Sequence, residues 1–177
     1  MALQLLLCAS SGYGQPGRPA ELASAGVVPG MPLRQVIASV PGIGGVAQQP
    51  FSGQLRVIEN LPSGGIVWEL SFRQDVLLFY TGSMISREVS ETSYNAARLG
   101  FFDLLAKLSS WLGKPDAAQP PPEYESLPAP DGNQRQKVGR YEWTTGNTTA
   151  SLQLERTKTA TDTGLFLLVE VRPRPGP

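Results

Sequence analysis

The chain has 177 residues, enough for one ordinary domain or two small packed halves with a usable core. Lys+Arg and Asp+Glu each number 15, so there is no basic excess of the kind phosphate neutralisation needs, and nucleic acid is not expected as a partner. Histidine is absent and Cys8 is the single cysteine, which removes a Ser-His-Asp or Cys-His engine, a histidine metal ligand, an internal disulfide and a thiolate cluster.

Ala2 to Ala9 is apolar and runs into small residues, as at the end of a secretory signal peptide, although the positively charged start is missing. Gly12 and Gly14 put small residues where a signal peptidase needs them, so residues 1–14 are expected to be a leader and the mature chain to begin near Gln15, with cleavage nearer Ser11 as the other option. A lipid anchor at Cys8 fits less well, because Leu7 stands where a small residue is required. These features predict an exported protein, periplasmic or extracellular. No later stretch is apolar for long enough to span a bilayer as a helix.

Residues 15–114 read as a helix pair, a β-meander and a long amphipathic helix. "RPAELASAG" carries Pro19 near a first turn and Gly26 as a stop. "MPLRQVIASVPG" sets Leu33, Val36, Ile37 and Val40 on one face before Pro41-Gly42. Gly42, Gly44 and Gly45 follow a helix rather than a strand and lack the Lys-Ser/Thr ending of a P-loop, so no phosphate cradle is predicted. "QLRVIEN", "IVWELSFRQ" and "VLLFYTGSMIS" are strands, with Trp68, Leu70 and Phe72 at the period-2 spacing of a half-buried strand and Arg73-Gln74-Asp75 as a tight turn. Ser90 or Thr92 can cap the next helix. Its stripe of Phe101, Leu104, Leu105, Leu108 and Leu112 is widened by Phe102 and Trp111 and ends at Gly113 and Pro115. Trp111, at the margin, is the helix's candidate for an exposed aromatic.

Residues 115–137 are rich in proline, alanine and acids, with no apolar period. They read as a tether across the surface, polyproline II at Pro120 to Pro122, with a docking ligand as the sharper alternative. Residues 138–177 form a second meander of "VGRYEWTTG", "TASLQLERT" and "TGLFLLVEVRP", with turns at Gly146-Asn147 and Asp162-Thr163-Gly164.

Leu33, Val36 and Val40 match Leu105, Leu108 and Leu112 at a constant offset of 72, and both helices end in Gly/Pro punctuation, so two αβ halves are conceivable. Gly30, Met31, Val36 and Val40 in the first half and Leu112, Gly113 and Pro115 in the second, with "VWELSF" and "YEW" as aromatic strands, resemble the tandem αβ repeat of exported β-lactamase inhibitor proteins and small outer-membrane assembly lipoproteins. That resemblance implies chiefly a fold topology, helices placed ahead of an antiparallel sheet. The paired cysteines usual in that family are absent here.

The acids Glu69, Asp75, Glu88, Glu91, Glu142, Glu155 and Glu170 could supply a carboxylate pair, but alternating strand positions account for them equally well as a solvated face. "DGNQ" at 131–134 lacks the alternate acids and closing Glu of a calcium loop. No catalytic residue, metal site or cofactor is predicted. Tyr141 and Trp143 stand two apart and share a face, either in a core under the helix of Phe101 and Leu105 or exposed beside Arg140 as a recognition surface; strand aromatics mostly bury, which favours the core.

The expected fold is α+β: an antiparallel sheet of five to seven strands, helices on one side, with room for two similar halves. The expected function is non-catalytic binding of another protein through a sheet face by a monomer or weak dimer, with Tyr141, Trp143, Trp68, Trp111 and Arg140 as the binding candidates. The alternatives are an envelope or polysaccharide hydrolase using two carboxylates, and an intracellular protein of the secretion-chaperone type.

Overall fold

The computed structural model describes residues 21–40, 43, 53–87, 89–127, 135–158 and 163–176. The predicted leader with Cys8, the glycine-rich loop, Glu88 and "DGNQ" lie outside them. Among the described residues the chain is α+β, with one seven-stranded antiparallel sheet.

The strands are β1 (Gln54–Leu61), β2 (Gly64–Arg73), β3 (Val76–Ser86), β4 (Ala117–Gln119), β5 (Arg135–Thr145), β6 (Thr148–Lys158) and β7 (Thr163–Pro173). Their order is β1-β2-β3-β7-β6-β5-β4, so two meanders meet where β3 pairs with β7. Short-range chemistry fixes the hairpins. Gln74 and Asp75 both have positive φ, 51° and 61°, the geometry of a two-residue turn whose twist suits the flanking strands. Gly146 has φ 53° at the head of the two-residue turn between β5 and β6.

Period-2 alternation sorts the sheet into two faces. Leu55, Val57, Ile66, Trp68, Leu70, Leu152, Leu154, Leu167, Val169 and Val171 point into the core. Trp68 lies across β3 at Gly82, where a Cβ would come within 2.5 Å of the indole ring, so only glycine admits this packing.

Two helices belong to this core. Helix α1 (Leu33–Ser39) buries Val36 and is preceded by a segment that hydrogen-bonds to the start of β3, Gly30 N–H to the Leu77 carbonyl at 2.8 Å and Leu77 N–H to the Met31 carbonyl at 2.9 Å. Helix α2 (Glu91–Leu112) starts at Ser90, whose hydroxyl accepts from Ser93 N–H while the Ser93 hydroxyl accepts from Ser90 N–H. It buries Tyr94, Ala97, Phe101, Leu104, Leu108 and Leu112 and packs on β5, β6 and β7.

The structure differs from expectation at three places. The first helix of the predicted pair begins outside the described residues, and its described part, 22–26, is turn rather than helix. The 115–137 segment is no free tether where described: it forms β4, a 3₁₀ turn at Tyr124–Ser126 and the start of β5. The second meander accordingly begins at Arg135, three residues earlier than expected.

Candidate functional site

The face of the sheet opposite the helices has no element laid across it among the described residues. Rows of directly opposed residues cross it. One runs Ile58, Val67, Ser83, Leu168, Gln153, Arg140 from β1 to β5. The next runs Arg56, Glu69, Thr81, Glu170, Ser151, Glu142. Ile85, Phe166 and Glu155 line up on the other side of the first row, and Phe79 lies opposite Ser71 beyond the second.

Chemistry changes along these rows. Across β1, β2, β3 and β7 the first row and the pair beside it form an apolar band: Ile58 is 45% exposed and Ile85 59%, beside half-buried Val67, Phe166 and Leu168, while Phe79, 36% exposed, stands apart beyond the polar row of Arg56, Glu69, Thr81 and Glu170. Over β5, β6 and β7 it becomes a polar groove of about 330 Å³, lined in part by Arg140, Glu142, Ser151, Gln153, Glu170 and Arg172. Four ion pairs cross the face: Arg140 with Glu142, Arg172 with Glu170, Arg56 with Glu69 at 3.9 Å and Arg135 with Glu155 at 3.7 Å. Each joins an arginine to a glutamate, so together they carry no net sign. Arg172 also stacks over the Phe79 ring, and Arg135 over Phe166. Glu155 is buried, at 6% exposure; the other three pairs are exposed and contribute about 0–1 kcal/mol to stability, so they shape what can dock more than they hold the fold.

The five residues expected to bind divide sharply. Trp68 is fully buried, and its Nε1 donates to the Glu59 carboxylate at 3.0 Å. Trp143 is 1% exposed, and its Nε1 donates to the Gly113 carbonyl at 3.0 Å. Trp111 is half-buried, with its Nε1 on the Ala23 carbonyl at 2.9 Å. Tyr141 is half-buried, between Phe101 and Trp143 with ring centroids 5.7 and 6.3 Å away. The aromatics therefore serve the core side, as the period-2 reading of the hairpin favoured. Arg140 alone of the five lies on the open face. Ile58, Phe79, Ile85 and Arg172 were not singled out from sequence, and Glu170 only as one of several candidate acids; reading the out-of-phase positions of each strand would have found them.

A second charged cluster lies inside. Glu59 is 1% exposed and in phase with Leu55, Val57 and Leu61. Its carboxylate accepts from Trp68 Nε1 at 3.0 Å, Ala23 N–H at 3.1 Å and Lys107 Nζ at 3.0 Å, and Lys107 also reaches Asp103 at 3.0 Å. Partial burial works against the Lys107 ammonium, but the carboxylates of Glu59 and Asp103 outweigh it, so its pKa lies above the usual 10.5. With three donors around it and almost no exposure, the Glu59 carboxylate is a structural tie rather than a reagent: with Trp111 it fixes the Ala23 segment to β1, β2 and α2.

Burial also raises the phenols of Tyr80 and Tyr94, the latter to about 12, with Arg98 opposing and Glu123 adding to the shift. In all three groups the fold favours the protonated form. Their stabilisation is complete below the ordinary values of 10.0 and 10.5, and it is lost as pH rises through the folded-state values. Urea titrations are expected to show stability falling as pH increases above about 10. A rise in that window would contradict the burial of the two phenols and the pairing of Lys107 with Glu59 and Asp103.

No helix among the described residues is long and apolar enough to cross a membrane, and none of their His, Cys, Asp and Glu side chains cluster so as to hold a metal ion. No family of known proteins, curated protein or solved structure matches this chain.

Proposed function

We propose that this is a non-catalytic exported or envelope protein that binds another protein through the open face of its sheet. The observation that carries the reading is the apolar band of Ile58, Val67, Leu168, Phe166 and Ile85, which no element covers among the described residues and which arginine–glutamate pairs border. An apolar patch with a polar border is the usual anatomy of a protein interface. Balanced charge favours a partner that is itself apolar with charges of both signs at its rim. The order of elements also supports two related halves, a helix followed by three strands in the first and a helix followed by four, counting the short β4, in the second, as in the tandem repeat that the sequence resembles.

Affinity capture from envelope extract tests the binding. A protein retained by the wild-type chain is expected to be lost from an Ile58→Asp/Ile85→Asp variant with an unchanged melting curve; equal retention by both chains would refute the face. Export has its own check: the intact mass of envelope material is expected to correspond to a chain starting near Gln15, and retention of Met1 would count against it.

The carboxylate-pair hydrolase has one observation in its favour. Glu142 and Glu170 both stand opposite Ser151, two strand spacings or about 10 Å apart along the row. Each, however, is held by an arginine two residues away on its own strand, the arrangement of a solvated face. A hydrolytic activity abolished by Glu142→Gln and Glu170→Gln would revive that reading.

A further inference from the structure

On the helix side, away from the open face, residues 119–127 are held by directed contacts. The Tyr94 hydroxyl donates to the Pro122 carbonyl at 2.9 Å, and Arg98 Nε donates to the neighbouring Pro121 carbonyl at 3.3 Å. Arg98 Nη2 reaches the Glu123 carboxylate at 2.6 Å, and the Arg98 guanidinium stacks on Phe102 at 5.3 Å. The Tyr124 ring lies 5.9 Å from that of Tyr94. Pro121 is buried over Gly139, where a Cβ would come within 2.9 Å of the proline ring, so β5 offers a slot that only a glycine leaves open. Glu123 has φ −67° and ψ 158°, the polyproline II conformation.

A polyproline II segment makes no internal hydrogen bonds and presents its carbonyls to whatever lies beside it. Donors that read consecutive carbonyls, an aromatic wall and a slot for one proline ring are the elements with which proteins recognise proline-rich ligands. This chain has them all in one place, filled by its own Pro-Pro-Glu-Tyr. The filling segment lies at the edge of the sheet: β4 pairs with β5 through three exposed residues, Pro121 is the one fully buried residue of 117–127, and Tyr124 and Leu127 are partly buried against the core.

We propose that the groove of Tyr94, Arg98 and Gly139, with Phe102 behind the Arg98 guanidinium, is a recognition site for an extended segment of a partner protein, two prolines followed by an acidic and an aromatic residue, which the chain's own strap occupies in cis. The strap lowers the affinity for an outside segment by the fraction of time the groove stands open. The site is separate from the open sheet face and does not depend on it.

The test uses a synthetic peptide of residues 117–127, AAQPPPEYESL, titrated into the full chain and into a Pro121→Ala/Tyr124→Ala variant, with a scrambled peptide as control. The peptide is expected to bind the variant at least about tenfold more tightly than the wild type, and to lose that binding when Tyr94→Phe and Arg98→Ala are added. If the melting curve shows the first variant unfolded, Glu123→Ala/Tyr124→Ala replaces it, since this keeps Pro121 over Gly139. No binding to a folded strap variant, equal affinity for variant and wild type, binding that survives Tyr94→Phe with Arg98→Ala, or equal binding of the scrambled peptide would each overturn the proposal.

Discussion

Replacing Glu59 with alanine is expected to destabilise the fold by about 3–5 kcal/mol, although the residue is an acid in a sheet. The carboxylate satisfies Trp68 Nε1 and Ala23 N–H deep in the core, and it anchors Lys107. Each buried donor left without an acceptor costs about 1–3 kcal/mol, and the Lys107 ammonium keeps only Asp103. Glu59→Gln retains an acceptor for the indole and the amide, so its loss is expected to be smaller than that of alanine. Urea denaturation of both variants measures this ordering. A change below about 1 kcal/mol for alanine would mean that the Ala23 segment is not tied to the sheet in this way.

Trp143→Ala is expected to cost about 3–5 kcal/mol, the range for deleting a large buried aromatic. The indole stacks on Tyr141, carries its N–H to the Gly113 carbonyl at the C-terminal end of α2, and has almost no contact with solvent. Its removal therefore opens a cavity and frees the end of the helix together. A docking residue would behave differently, losing affinity while the melting temperature stayed put. Thermal unfolding of the variant separates the two: a melting temperature within error of wild type would return Trp143 to the surface.

Much of the architecture is legible in the chain because it is governed by local rules. Trp68, Leu70 and Phe72 alternate in β2 as they do in the sequence, Gln74-Asp75 and Gly146-Asn147 make the turns their chemistry allows, and the Phe101 to Leu112 stripe faces the core. The misses come from contacts that join distant residues. Nothing near Glu59 announces that Lys107, 48 residues on, will meet it, though its phase with Leu55, Val57 and Leu61 marks it for burial. The Pro-rich segment has the composition of a tether, and it docks because Tyr94 and Arg98 on α2 supply donors for its carbonyls. Trp111 has the marginal position of an exposed aromatic, yet its N–H finds the Ala23 carbonyl 88 residues away. The open face is visible as the out-of-phase set of each strand, but which strands lie side by side depends on the β3 to β7 pairing. Only that pairing brings Ile85 next to Phe166 and Ser83 next to Leu168.

The claim that the uncovered sheet face is where this protein meets its partner is tested most directly by equilibrium binding. The captured partner is titrated against the wild-type chain and the Ile58→Asp/Ile85→Asp variant, with melting curves recorded for both. Both side chains are well exposed, so the fold should tolerate the change, and affinity is expected to fall at least about 30-fold, the loss of a central interface residue. Unchanged affinity in a variant that remains folded would contradict the account.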